Sequence, residues 1–156
     1  MTTRTDSAAS DLAARVARVS MAIVFVPAGW AKLTGFGGTM EYIAAKGVPL
    51  PQAATVTAIA IELGLGLMLL AGIRTRWVAL GLAIVVGVIT PLFHNFWAAP
   101  AAQAMTQQLM FWKNVGLFGG LLLLAATGGG RWSVDAADGA MAAALTPRHR
   151  GLTPIR

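Results

Sequence analysis

The 156-residue sequence contains no cysteine. That excludes a disulfide framework, a cysteine-ligated iron–sulfur cluster and a thiol relay carried by this chain, while leaving a thiol-bearing partner or a dithiol substrate open. Charge is also scarce, at 12% of residues against roughly 25% in an ordinary soluble domain. A bis-histidine haem would need a second imidazole inside the apolar part of the chain. Only His94 lies there, because His149 belongs to the C-terminal segment. Zinc asks for at least three protein ligands, and His94 with Glu62 falls short, so no metal site is expected. The glycines form neither G-x-G-x-x-G nor a P-loop, and no Ser, His and Asp set is placed to work together.

What the chain has in quantity is apolar surface: 56% hydrophobic residues and a mean hydropathy of +0.68. This is the composition of an integral membrane protein, and the length suits one domain of about four spans of ~20 residues. Four apolar segments stand out, at about Val16–Leu33, Gln52–Ala71, Trp77–Trp97 and Gln108–Thr127. Backbone groups in lipid must bond within their own segment, so each is expected to be a helix. Breakers separate them: Gly35, Gly37 and Gly38, then Gly47, Pro49 and Pro51, then Gly72, Pro100, and Gly128 to Gly130. The expected fold is an all-α, four-transmembrane-helix bundle over residues 15–130, with tails at 1–14 and 131–156.

The net charge of +6 reflects loop composition rather than nucleic-acid binding, which needs a soluble basic face. Arg4, Arg15, Arg18, Arg74, Arg76, Arg131, Arg148, Arg150 and Arg156 all fall at one end of alternating helices, and the opposite loops hold only Lys46. The positive-inside rule then puts both termini in the cytoplasm. The first span carries Trp30, Lys32 and Leu33 where a signal peptide would need small residues, so it is read as retained. Ser10 is expected to cap that helix, and Thr39–Gly47 to form a short interfacial helix with Tyr42 at headgroup depth. The segment from Arg131 is expected to be a solvated tail, with a short helix through SVDAADGAMAAAL and disorder from Thr146 onward.

The polar residues inside the spans carry the functional question. At 1.5 Å of rise per residue, Lys32, Glu62, His94, Asn95, Lys113 and Asn114 all fall in the outer half of the bundle. Lys113 shares a helix face with Gly116 and Gly120, Glu62 with Ala58 and Gly66, His94 with Thr90 and Gly87, and Lys32 with Ala28 and Gly29. Small residues mark close helix approach, so each ionisable group is expected to point between helices. A charge at the bilayer centre costs ~2.5 to 3.5 kcal/mol, and Glu62 is the sole acid in any span. Lys113 is its expected counter-ion, with Lys32 the alternative. With both lysines present the cluster carries +1, which favours an anionic or electron-rich ligand, and His94 adds a group able to titrate or hydrogen-bond. The structural alternatives are a snorkelling Lys32, an interfacial His94 and an ion pair that only holds helices together. Gln103, Gln107 and Gln108 read as loop polar residues unless they lid the pocket.

These residues resemble the DoxX family of small bacterial inner-membrane proteins. The resemblance runs through Gly29-x-x-Lys32-Leu33, Gly47-Val48-Pro49, Glu62-Leu63 with Gly72 ten residues on, His94-x-Phe96-Trp97, and Lys113-Asn114 followed by Gly119-Gly120-Leu121-Leu122. It covers about Arg15 to Ser133. It implies a multi-pass protein of the cytoplasmic membrane and, for some relatives, redox chemistry: members named for thiosulfate:quinone oxidoreductase pass electrons to quinone. Mycobacterial relatives are associated with a membrane complex containing a superoxide dismutase and a sulfurtransferase. Three functions are therefore weighed. The first is a redox-linked subunit whose polar pocket holds a quinone or a small anion such as thiosulfate, with no covalently bound cofactor. The second is a non-catalytic anchor or scaffold for a redox enzyme partner, alone or as a homo-oligomer. Solute transport, the third, is disfavoured by four spans without a repeat.

Overall fold

The structure, a computed structural model, describes residues 4–145. The disorder expected from Thr146 onward, and His149 with it, lies outside the described residues. The long helices are α1 (Arg4–Thr34), α5 (Thr75–Phe93) and α6 (Ala101–Thr127), with a short α2 (Phe36–Ala45) after the first. The second span is a composite: α3 (Pro51–Ile59), a π-helical stretch (Ala60–Leu65) and α4 (Gly66–Ala71) run on without a break. A 3₁₀ turn (Phe96–Ala98) leads into α6, and α7 (Val134–Leu145) ends the described chain. Four helices are long and apolar enough to cross a membrane, at Ala8–Thr34, Pro51–Ala71, Thr75–Ala98 and Ala101–Thr127. This is the expected four-span bundle. The first helix starts earlier than expected, at Arg4, so Ser10 lies inside it and is not its cap.

The packing core is thin, as it is when lipid rather than water surrounds the helices and burial gains little. It consists of Phe25 from α1, Leu69 from α4, Leu121 and Leu124 from α6, and Val78, Ala79, Leu82, Ala83 and Val86 along one face of α5. Large side chains such as Ile23, Val56, Leu67, Ile84, Val88 and Leu123 are left facing outward.

One face of α1 organises the bundle. Arg18, Ala22, Phe25 and Gly29 are all buried and recur at helical spacing, with Lys32 next in the row. Arg18 was counted with the charged flank of the span, yet it is only 2% exposed. Its guanidinium donates to the Leu69, Leu70 and Trp132 carbonyls. The first two belong to the last turn of α4, whose carbonyls have no partner within the helix. Gly72, at φ +77°, completes that terminus: its N–H donates to the Leu69 carbonyl and the Ile73 N–H to Met68, a left-handed cap that favours glycine.

The segment after α6 is fastened to the same end of the bundle. The Asp135 carboxylate accepts hydrogen bonds from the Arg74 N–H (2.6 Å) and the Thr75 N–H (2.8 Å). It thus sits at the N-terminus of α5, where free N–H groups and the helix dipole favour a negative charge. The Asp135 N–H in turn donates to the Gly72 carbonyl, and Asp11 accepts the Arg131 N–H at 3.0 Å. Burial by itself would raise the Asp135 carboxyl, but the Thr75 and Arg74 N–H bonds outweigh it and hold it below its ordinary value. A carboxyl depressed in the folded state contributes stability above its unfolded pKa of about 4, and that contribution is lost as the pH falls through the lower folded value. Hydrogen-exchange protection of α7, taken relative to the intrinsic rate at each pH, is therefore expected to fall as the pH drops below about 4. In Asp135→Ala exchange should already be fast at neutral pH, with a stability loss of about 1 kcal/mol. Unchanged α7 protection in the variant would show that the cap does not hold the helix.

Candidate functional site

The alternative counter-ion is the one that pairs. Lys32 Nζ lies 2.7 Å from Glu62 Oε2, and the two side chains are 31% and 16% exposed. The backbone explains why. A Cβ on Gly29 would stand 2.8 Å from both Leu63 N and Leu63 Cγ, and 3.0 Å from Glu62 Cβ. Only a residue without a side chain lets α1 approach the second span so closely, and Lys32 follows one turn later on the same face. The π-helical stretch is the segment that carries Glu62. Such wide turns recur at functional sites because they shift side chains off the regular helical register.

Lys113 is elsewhere. It is exposed, and its ammonium contacts only Met110 Sδ, at 3.5 Å, along its own helix. The inward face of α6 is Asn114, Leu121 and Leu124, with Leu117 partly buried, so the neighbouring Lys113 is turned outward by about 100°. The expected Lys113–Glu62 pair is thereby overturned. Gly116 and Gly119 meet nothing within 4 Å, and Gly120 meets only the Met21 side chain. Gly116 and Gly119 do not mark the buried face; Gly120 alone of the three approaches another helix, α1.

A cavity of about 260 Å³ opens beside the ion pair, lined by Lys32, Thr39, Tyr42, Glu62, Phe93 and His94 together with Ile43, Ala58 and Ile89. Five of these residues, Ile43, Ala58, Glu62, Ile89 and Phe93, also line an adjoining cavity of about 310 Å³, otherwise walled by Val48, Ile61, Val85 and Leu92 with Ala54 and Thr57. The result is one polar lobe and one apolar lobe meeting at Glu62. Tyr42 and Leu92 are 48% and 57% exposed, so both lobes reach the outer surface of the bundle.

His94 reaches this pocket because α5 stops at Phe93 and the backbone turns, with His94 at φ −126°. The face it was expected to share with Thr90 and Gly87 therefore does not exist beyond the helix end. Those two residues line a different cavity, together with Asn114. His94 Nδ1 lies 2.9 Å from Gln107 Oε1. An amide oxygen only accepts, so in this pairing Nδ1 is the donor and Nε2 is left facing away from Gln107. Asn95 sits at the start of the 3₁₀ turn, its carbonyl accepting the Ala98 N–H at 3.0 Å, and lines neither cavity. Of the six candidates, the fold brings together Lys32, Glu62 and His94. It places Asn114 in a second cavity, and Lys113 and Asn95 in neither.

Thr39 and Tyr42 carry no site signal in the sequence, and Gln107, which reads as a loop residue unless it lids the pocket, lies instead in α6 and meets His94. Tyr42 comes from α2, which packs beside α3 and stacks its ring on Phe93 at 5.9 Å between centroids. The sequence placed Tyr42 at headgroup depth, but nothing in it indicated that α2 folds over the pocket. Gln107 carried a signal in its position at the mouth, opposite His94. Among the described residues, no group of three or more His, Cys, Asp or Glu side chains is placed to hold a metal.

Comparison with known proteins agrees with this architecture. The DoxX family model matches residues 13–95, a stretch that contains Lys32, Glu62 and His94. The chain is 42% identical to the inner membrane protein YqjF of Escherichia coli (strain K12) over 128 residues, covering 80% of this chain and 91% of that protein. It is 32% identical to the inner membrane protein YphA of the same organism over 120 residues, covering 77% and 86% respectively. No solved structure matches. With four membrane-spanning helices, a family match across the first three and two inner-membrane relatives, this chain belongs to the DoxX family of small multi-pass inner-membrane proteins.

Proposed function

We propose that the Lys32–Glu62 pocket receives the headgroup of a membrane quinone and that the protein is the quinone-holding subunit of a redox-linked assembly. The observation that carries this reading is the joining of a polar lobe to an apolar lobe at Glu62. A pocket with apolar walls and a few convergent polar groups suits a flat ring bearing carbonyls and an isoprenoid tail. Charge selects between the two ligand classes expected from the sequence. With Lys113 outside the pocket, Lys32 is balanced by Glu62, and the +1 cluster that favoured a small anion is gone. A neutral headgroup fits better than thiosulfate.

In this reading Lys32 donates a hydrogen bond to a quinone carbonyl, and His94 Nε2 accepts one from the hydroxyl of the reduced form. The quinone supplies the redox chemistry when bound; electrons come from a partner enzyme, since this chain has no cysteine of its own. The positive-inside rule supports reading the side of Arg15, Arg74, Arg76 and Arg131 as cytoplasmic, since the opposite loops hold only Lys46. The pocket then lies toward the opposite side.

The test is binding of a short-chain quinone analogue to the purified protein in lipid nanodiscs. Lys32→Met is expected to weaken it at least tenfold, since hydrogen bonds to charged groups contribute about 1.5 to 3 kcal/mol. His94→Phe should weaken it as well, and Lys113→Met should leave it unchanged. Equal affinity in wild type and Lys32→Met, with both folded, would remove the proposal.

A further inference from the structure

The second cavity is distinct in chemistry from the pocket just described. It measures about 380 Å³ and lies between α5 and α6. Three aromatic rings, from Trp97, Phe111 and Phe118, form much of its wall, and no lining residue is ionisable. Trp97 and Phe111 meet edge to face at 5.7 Å. The groove reaches the outer surface, since Trp97 is 62% and Phe118 37% exposed.

Inside it stands one polar group without a partner. Asn114 is only 7% exposed, yet its side-chain amide makes no hydrogen bond among the described residues. Its amide opens onto the groove rather than being sealed in the core, so whatever fills the groove meets it, and an apolar filling alone leaves it unsatisfied. The neighbouring Thr90 hydroxyl spends its hydrogen on the Val86 carbonyl at 2.6 Å, so it offers the Asn114 carbonyl oxygen no donor. Pro91 and Gly87 line the same wall, and Pro91 has no N–H of its own to offer a ligand.

We infer that this groove is a binding site for a neutral, membrane-soluble ring bearing a hydroxyl, of the phenol class. Aromatic walls accept a flat ring in stacked or edge-on contact. A hydroxyl both donates and accepts, which matches the N–H donors and the carbonyl acceptor of the Asn114 amide. An ionised group is disfavoured, because nothing in the lining compensates a charge.

The probe is a fluorinated naphthol titrated into the full-length protein in nanodiscs and followed by fluorine NMR, with fluorinated naphthalene as the hydroxyl-free comparison. Saturable binding of the naphthol is expected, with naphthalene at least fivefold weaker. Asn114→Leu, close in shape, should erase that difference between the two probes. Gly87→Val should abolish binding of both by filling the groove, since a Cβ there already comes within 3.3 Å of the Phe118 ring. Lys32→Met, in the other pocket, should leave the naphthol affinity of the folded protein unchanged. The inference is overturned if naphthol and naphthalene bind alike in the wild type, if Asn114→Leu keeps the preference, or if binding follows Lys32 instead. It is also overturned if the naphthol shows no saturable binding while the groove copurifies with a lipid chain or a second copy of the protein.

Discussion

Lys32→Met is expected to destabilise the protein by about 2 to 3 kcal/mol, and the double variant Lys32→Met with Glu62→Leu to recover most of that loss. The reason lies in what each substitution leaves behind. Removing the lysine strands a carboxylate that is 16% exposed within a span, and an uncompensated buried charge costs about 3 to 5 kcal/mol. The figure here is set lower because Lys32 is 31% exposed, so part of the pair's field is already screened. Glu62→Leu alone should cost less than Lys32→Met, because Lys32 lies two residues from the end of α1 and can snorkel toward the interface. Replacing both residues removes the charges and leaves apolar side chains in an apolar setting. Equilibrium unfolding of all four proteins in mixed micelles closes the double-mutant cycle. Additive single effects would show that the two residues do not form a stabilising pair.

Gly29→Ala is expected to destabilise by about 1 to 3 kcal/mol through overpacking, although alanine in a helix interior ordinarily gains about 1 kcal/mol over glycine. The added methyl would lie 2.8 Å from the backbone nitrogen of Leu63, and backbone cannot turn aside as a flexible side chain does. Gly29→Val should be worse. Gly119→Ala provides the contrast: its Cβ meets nothing within 4 Å, so only the helix-propensity gain remains, and stability should rise by up to about 1 kcal/mol. The same unfolding assay reads both. Because Gly29 sets the distance between α1 and the segment bearing Glu62, its substitution should also weaken quinone-analogue binding. A stabilising Gly29→Ala would refute the close approach on which the site is built.

The two lysines show how far the sequence could be read. Glu62 needed a cation because it was the sole acid in a span, and that much followed from the cost of a charge in lipid. Which cation depended on helix rotation, and α6 gives little guidance there. Leu109, Phe111, Trp112, Val115, Leu117 and Phe118 cover it nearly all round, and in lipid an outward apolar residue is as well placed as an inward one. The glycine spacing beside Lys113 suggests the packed face, whereas the fold leaves Gly116 open and brings only Gly120 against Met21. On α1 the reading was available: Arg18, Ala22, Phe25, Gly29 and Lys32 recur at helical spacing, and the row runs from the α4 cap to the ion pair.

By itself the sequence determined that this is a four-span membrane protein. Long apolar runs separated by glycine and proline admit no other arrangement of backbone hydrogen bonds in lipid. It also determined that the polar residues gather toward one end of the bundle, since depth follows from residue count and helical rise. Only the tertiary structure decided who meets whom. The partnership of Lys32 with Glu62 arises where a side-chain-free Gly29 admits a π-helical stretch. His94 enters the pocket because α5 ends one residue before it, and Asn114 is buried because α6 turns Lys113 outward. Each of these depends on rotation about a helix axis and on contacts between distant segments. Hydropathy is blind to both, because lipid exacts almost no penalty for presenting one apolar face rather than another.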